Sequence, residues 1–206
     1  TGSHLFNQVF FDDVRLPAEM RVGVEGEGWR LAKVTLANER VRLSSAGSLW
    51  GNGPSAEDLL DAVRDSGGCS DPIMRQELAA LKCEAEVLRL NRLRTLTAQL
   101  AGRTPGPEAS VQKAMADDHG QKVMALAKAC AGTDGMLVGS GPAGGSFDWH
   151  FGFLFSPALT IGGGTFAIQR NIVAEKVLGL PRDHNVEDGL SWRETHLGKA
   201  GRNAIR

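Results

Sequence analysis

The chain has 206 residues, 42% of them hydrophobic and 23% charged, with 23 basic against 24 acidic side chains and a net charge of −1. This is enough apolar material for one domain of ordinary size, and the charge balance excludes the clustered positive footprint of a nucleic-acid binder. No apolar run approaches the roughly 18 residues of a membrane span, the N-terminus lacks a signal peptide's basic and apolar regions, and three widely spaced cysteines, Cys69, Cys83 and Cys130, point to reduced thiols and a cytoplasmic location rather than a disulfide frame or a zinc site.

Residues 5–16 are rich in β-branched and aromatic side chains and stop at Pro17, which reads as a strand. One strand alone is not stable in water. Residues 1–22 are therefore expected to be the end of a β domain whose remainder precedes Thr1. From Gly26 the period becomes helical. Trp29, Ala32, Leu36, Leu43, Ala46 and Trp50 follow a 3-4 ladder of buried positions that omits one rung, position 39, and Gly51, Gly53 and Pro54 end it.

Ala56 to Asp65 reads as a short amphipathic helix closed by Gly67 and Gly68. Asp71-Pro72 is an N-cap followed by proline at the first helical position, opening a long helix to about Leu100. Gly102 to Pro107 is a turn, and Glu108 to Ala131 a further helix burying Val111, Met115, Val123, Leu126 and Cys130. Gly132 to Gly145 reads as a loop, and Phe147 to Leu159 as a short buried helix whose aromatic run packs in the core. Gly162-Gly163-Gly164-Thr165 is a turn and N-cap before the last helix, Phe166 to Leu178. The fold class is all-α: an antiparallel four-helix-type bundle over residues 23–183, with a short N-terminal β remnant and an irregular tail at 184–206.

The omitted rung is Glu39. A carboxylate inside an apolar stripe is desolvated, paired, or beside a cavity, and desolvation raises its pKa toward that of a usable proton acceptor. A buried ion pair is the structural alternative, with Arg89, Arg92 or Arg94 as partner, since adjacent Arg40 faces elsewhere on the helix. Gly162 to Thr165 either lets a ligand approach the backbone or is an ordinary capped turn. It is not a phosphate loop, for it lacks the Gly-Lys-Thr/Ser ending and a preceding parallel strand. His4, His119, His150, His184 and His196 show no metal-ligand spacing and read as surface or satisfied core residues.

Three segments, taken in order, carry a resemblance. They are Phe6 to Pro17, Val22 to Arg40 and Ile161 to Asp183, and together they resemble the C-terminal part of an acyl-CoA dehydrogenase. The resemblance implies oxidation of an acyl-CoA thioester to the trans-2-enoyl-CoA with FAD as cofactor. In most of that family the base is a glutamate in a Tyr-Glu-Gly-Thr sequence before the last helix, and here that position is Gly163. A minority resembling isovaleryl-CoA dehydrogenase carries it in Leu-x-x-Glu-Arg on the first bundle helix, which Leu36 to Arg40 matches. The resemblance thus implies Glu39 as catalytic base, Arg40 and Gly164 at the substrate, and Thr165, Ala167 and Gly132 toward FAD.

Flavin contacts are thinned. The family's Arg-x-x-Phe-Gly motif has no match between residues 60 and 110, its glutamine-glycine motif survives only from Ala129 to Gly135, and Ala167 stands where Glu or Gln is usual. The implied partners are an acyl-CoA substrate, an electron-transfer acceptor, and further subunits in a homo-oligomer (dimer or tetramer) or with a related chain. The 206-residue chain alone is expected to be inactive. The alternative is a non-catalytic oligomerisation subunit of an acyl-CoA dehydrogenase-like complex.

The long helix carries Leu78, Leu81, Leu88, Leu90, Leu93, Leu96 and Leu100, more than one buried stripe requires. Self-association is the expected outcome, and light scattering at high micromolar concentration checks it: a 22.0 kDa monomer would refute it.

Overall fold

Capping chemistry sets the helix boundaries in the computed structural model, which describes residues 1, 2, 4, 6–43, 53–103, 106–137 and 148–196. Helix α1 spans Gly28–Leu43. Helix α2, Ala56–Asp65, opens on a capping box: Ser55 Oγ accepts from the Asp58 N–H, and the Asp58 carboxylate accepts from the Ser55 N–H. The Ser55 hydroxyl and amide hold that carboxyl below its ordinary value. Helix α3, Pro72–Leu100, begins where Asp71 Oδ1 accepts from Ile73 at 2.8 Å with proline at its first position. Its 29 residues span roughly 44 Å.

Helix α4, Ala109–Cys130, runs unbroken through the buried Gly120. Helix α5, Trp149–Phe155, is capped by Asp148, which accepts from Phe151, and leads into a 3₁₀ turn, Ser156–Thr160. Helix α6, Phe166–Ile172, starts at the Thr165 cap and continues as a π turn, Val173–Val177. Among the described residues the structure is all-helical.

The pairing of α3 with α4 is antiparallel, because contacts climb one helix as they descend the other. Gln112 Nε2 donates to the Leu88 carbonyl, His119 Nδ1 lies 3.1 Å from Glu84, and Cys130 Sγ lies 3.4 Å from Met74 Sδ. Burial pushes the Glu84 carboxyl up, but hydrogen bonds from Lys122 and His119 outweigh it and hold it below its ordinary value. Helices α1, α2, α3, α5 and α6 all touch α4. The core lies along it: Leu59, Val63, Leu78, Leu81, Val123, Met124, Leu126, Ala127, Trp149 and Leu159.

Several expectations change. Residues 6–16 form no strand, and Phe6, Phe10 and Phe11 are exposed, since no described segment offers a ladder partner. The α1 stripe is not fully buried: Ala32 is half-buried, but Trp29 is 71% and Leu36 47% exposed, because among the described residues α1 packs chiefly on α4. Ala46, Trp50, Gly51 and the Leu43 side chain lie outside the described residues, as do Leu5, 138–147 with Phe147, and 197–206. The aromatic run is only partly core. Trp149 is buried, whereas Phe153 is exposed and Phe151 and Phe155 stack at 5.6 Å on a half-buried face. Of the α3 leucines, Leu78, Leu81 and Leu88 are buried, while Leu90, Leu93, Leu96 and Leu100 are exposed.

Charge sits inside α4. Lys113 and Asp117 are both buried; Lys113 Nζ donates to Asp117 at 2.5 Å and to the Leu159 carbonyl at 2.9 Å. Burial pushes the Asp117 carboxyl up to about 6, against the pull of the Lys113 ammonium. A carboxyl raised in this way stabilises the fold fully only below its unfolded value, and that contribution is lost as pH rises through the folded one.

Lys113→Met should lower stability by about 3–5 kcal/mol, because it strands a buried carboxylate. With the opposing ammonium gone, the loss should deepen from pH 4 to beyond pH 6. Adding Asp117→Asn should recover part of the stability and flatten that slope. Urea midpoints at several pH values measure both effects.

Candidate functional site

Glu39 lies on α1, whose described residues run to Leu43. It is exposed, and no hydrogen bond or ion pair holds it among the described residues. Both the desolvated carboxylate and the buried ion pair expected from the ladder are therefore corrected. Leu36, one turn before Glu39, is uncovered as well, so no described residue dries its surroundings. Arg40 is helical, but its side chain lies outside the described residues.

The turn before α6 is built more tightly. Gly163 and Gly164 have φ of 68° and 93°, the left-handed region in which only glycine is unstrained. Their carbonyls converge on one donor: Gln169 Nε2 lies 3.0 Å from the Gly163 oxygen and 3.2 Å from that of Gly164. Gln169 is fully buried, and its Oε1 has no partner among the described residues. Thr165 Oγ1 accepts from the Ile168 N–H at 3.4 Å, and its carbonyl accepts from the Gln169 N–H at 2.9 Å.

The turn is anchored behind as well. The Gly162 N–H donates to the Ala158 carbonyl, Gln121 Nε2 donates to Ser156 O and Thr160 Oγ1, and Lys113 holds Leu159. Thus α4 fixes one side of the turn and Gln169 the other. Sequence reading found the glycines and the cap but missed Gln169, whose one visible signal was its position four residues after the Thr165 cap.

The remaining expected site residues are more scattered. Thr165 and Ala167 are exposed, and Ala167 offers only a methyl group. Gly132, at φ 55°, is also exposed and follows the end of α4, roughly 16 Å along the axis from the level of Gln121. No described hydrogen bond joins it to the turn at Thr165. Glu39 and Gly164 are not brought into contact by the described residues either. The three cavities between the helices are lined by other residues, from Ser55, His119 and Arg92 in one to Cys69 and Cys130 in another.

Known proteins share this sequence and this arrangement of helices. Residues 26–178 match the family model described as acyl-CoA dehydrogenase, C-terminal domain. The chain is 36% identical over 183 residues to acyl-CoA dehydrogenase IpdE1 of Mycobacterium tuberculosis, covering 89% of the chain and 46% of IpdE1. It is also 36% identical over 184 residues to acyl-CoA dehydrogenase FadE34 of that organism, covering 88% of the chain and 24% of FadE34. It therefore spans less than half the length of either relative. Among solved structures, the Tcur3481-Tcur3483 steroid ACAD superposes with a TM-score of 0.72 at 26% identity, over 84% of the chain and 45% of that one. The ChsE4-ChsE5 complex of Mycobacterium tuberculosis gives 0.64 at 27%, over 85% and 46%.

A Cβ at Gly164 would come within 2.6 Å of Gln169 Nε2, in a backbone conformation that L side chains avoid. Gly164→Ala should therefore destabilise the chain by about 1–3 kcal/mol, the usual cost of such strain. Denaturation midpoints check this, with Gly28→Ala, at a glycine with open space around it and no positive φ, as control.

Proposed function

We propose that this chain, which belongs to the acyl-CoA dehydrogenase family and matches its C-terminal domain, contributes the proton-accepting side of an acyl-CoA dehydrogenase site. The reaction is α,β-dehydrogenation of an acyl-CoA thioester to the trans-2-enoyl-CoA. The observation that carries this reading is the pairing, inside the matched residues, of Glu39 in a Leu-x-x-Glu-Arg sequence with Gly163 at the alternative base position.

Glu39 takes the proton from the carbon α to the thioester carbonyl. Its exposure on α1 and the absence of a described partner leave the carboxylate available to an incoming substrate, and the uncovered Leu36 one turn away offers an apolar surface to an acyl chain. Arg40 and the Gly164 backbone shape the thioester end. Closing this surface excludes water and lifts the proton affinity of Glu39 at the moment it is needed.

FAD is the cofactor the family implies, and the residues fit it at one point. The exposed Thr165 hydroxyl keeps a proton to donate after its oxygen has accepted from Ile168. Ala167 and Gly132 add no polar side chain, so they serve as surface beside the cofactor rather than as its anchors. When bound, FAD supplies the acceptor for the hydride that leaves the β-carbon. The isolated chain is colourless and inactive on this reading.

Leu90, Leu93, Leu96 and Leu100 form the exposed face through which α3 meets another subunit, either a second copy or a related chain. The ChsE4-ChsE5 neighbour, a complex of two named components, favours the related chain. A steroid-linked acyl group is the substrate class suggested by the steroid ACAD neighbour, with a separate electron-transfer acceptor and a cytoplasmic location. No helix of the described residues is long and apolar enough to cross a membrane. The second reading, a supporting subunit without chemistry of its own, draws on Ala167 and the thinned flavin contacts.

Glu39→Gln separates the two. In the intact flavoenzyme, bleaching of bound FAD by a panel of straight-chain, branched and steroid side-chain acyl-CoA thioesters should slow by about 10²–10⁴, the usual worth of a general base. Bleaching at the wild-type rate leaves only the supporting role.

A further inference from the structure

Gln169 is completely buried, yet it satisfies only half of its amide. A buried acceptor without a partner costs about 1–3 kcal/mol. The side chain is nevertheless held in one orientation, and the reason lies at its other end. Nε2 meets the carbonyls of Gly163 and Gly164 at 3.0 and 3.2 Å, and both of its hydrogens have a receiver. Rotating the amide by half a turn would set Oε1 against two carbonyl oxygens and convert two attractions into two repulsions.

We propose that Gln169 is a positioning residue: its amide clamps the Gly163–Gly164 turn in its left-handed conformation and thereby fixes the backbone that faces the thioester. The inference rests on the reading above that Gly164 lies at the substrate. The turn itself has no side chains with which to hold its shape. Glycine has the largest conformational freedom to lose, and two consecutive glycines with positive φ need an external restraint to stay in a single conformation. Lys113 and Gln121 act upstream, on residues 156–160. Gln169 alone among the described side chains reaches the two carbonyls.

The fit is close. A Cβ at Gly164 would meet Nε2 at 2.6 Å, so the turn and the amide exclude any larger residue at position 164. The donor also sits one helical turn beyond its own cap, with the Gln169 N–H on the Thr165 carbonyl. Disorder in the turn would therefore propagate into the start of α6. Misplacing a reacting group by about 1 Å costs on the order of 10²-fold in rate, which gives the clamp its link to catalysis.

The test uses Gln169→Leu and Gln169→Glu in the full chain and in the intact flavoenzyme. In the full chain, amide exchange by NMR should show protection at Ile168 and Gly162 falling about tenfold or more in Gln169→Leu. Met124 and Ala127 on α4 serve as the control for global unfolding and should hold their protection. Carbonyl ¹³C shifts of Gly163 and Gly164 should move as the hydrogen bonds are lost. Gln169→Glu keeps a donor only while protonated, so its protection should be intermediate at low pH and fall as pH rises, whereas Gln169→Leu should show no such pH dependence.

In the flavoenzyme, Gln169→Leu should slow flavin bleaching by acyl-CoA about tenfold or more at saturating substrate. Unchanged protection and carbonyl shifts overturn the clamp, and a loosened turn with unchanged bleaching overturns its positioning role. Failure of the underlying reading shows elsewhere, as wild-type bleaching in Glu39→Gln alongside altered carbonyl shifts in Gln169→Leu.

Discussion

The ammonium of Lys113 is the charge around which this fold is arranged. A lysine buried in the middle of a domain is costly unless its charge is paired and its ammonium finds acceptors. Here the acceptors come from two places, the Asp117 carboxylate one turn along α4 and the Leu159 carbonyl from the segment after α5. The second is the consequential one. It ties a short 3₁₀ turn, whose Leu159 side chain sits in the core, to the central helix. The Gln121 amide repeats the tie at Ser156 and Thr160. Polar contacts that would contribute little on the surface become specific here, because each partner has lost its water.

From that anchor the order passes along the chain to the glycine turn. Ala158 receives the Gly162 amide, Gly163 and Gly164 bend through positive φ, and Gln169 closes the turn from the α6 side. The result is a rigid piece of backbone whose outer face, at Thr165 and Ala167, remains open. Rigidity with one open face is a reasonable basis for a binding surface. Helix α1 is its opposite: it touches α4, leaves Trp29 uncovered, and carries the exposed Glu39 carboxylate. One element is determined within the chain, and the other has apolar surface to give to a neighbour or a ligand.

This contrast fits a chain that spans less than half of the relatives it matches. The relatives share the helical part, and its core is self-sufficient along α2, α3, α4 and the residues around Trp149 and Leu159. The apolar side chains left over lie along residues 6–24, on α1, on the second half of α3 and from Ile161 to Trp192.

The sequence by itself determined the helices and several of their starts, because caps act over three or four residues: Asp71 with Pro72 and Thr165 before α6 are legible without any fold. It also determined the family, through short motifs that survive in order, and it singled out Glu39 and the glycine turn. It misread burial. The ladder on α1 looked like a core stripe, but periodicity reports only that one face is apolar, not what covers it. Residues 6–16 looked like a strand for the same reason, since a strand's partner lies elsewhere in the chain or in another one. Tertiary structure alone decided the rest. No local pattern singles out Lys113, Asp117 or Gln169, which packing strips of their water. Whether a polar side chain is a surface ornament or a structural clamp depends on which distant carbonyls the fold brings within 3 Å of it, and no local pattern carries that information.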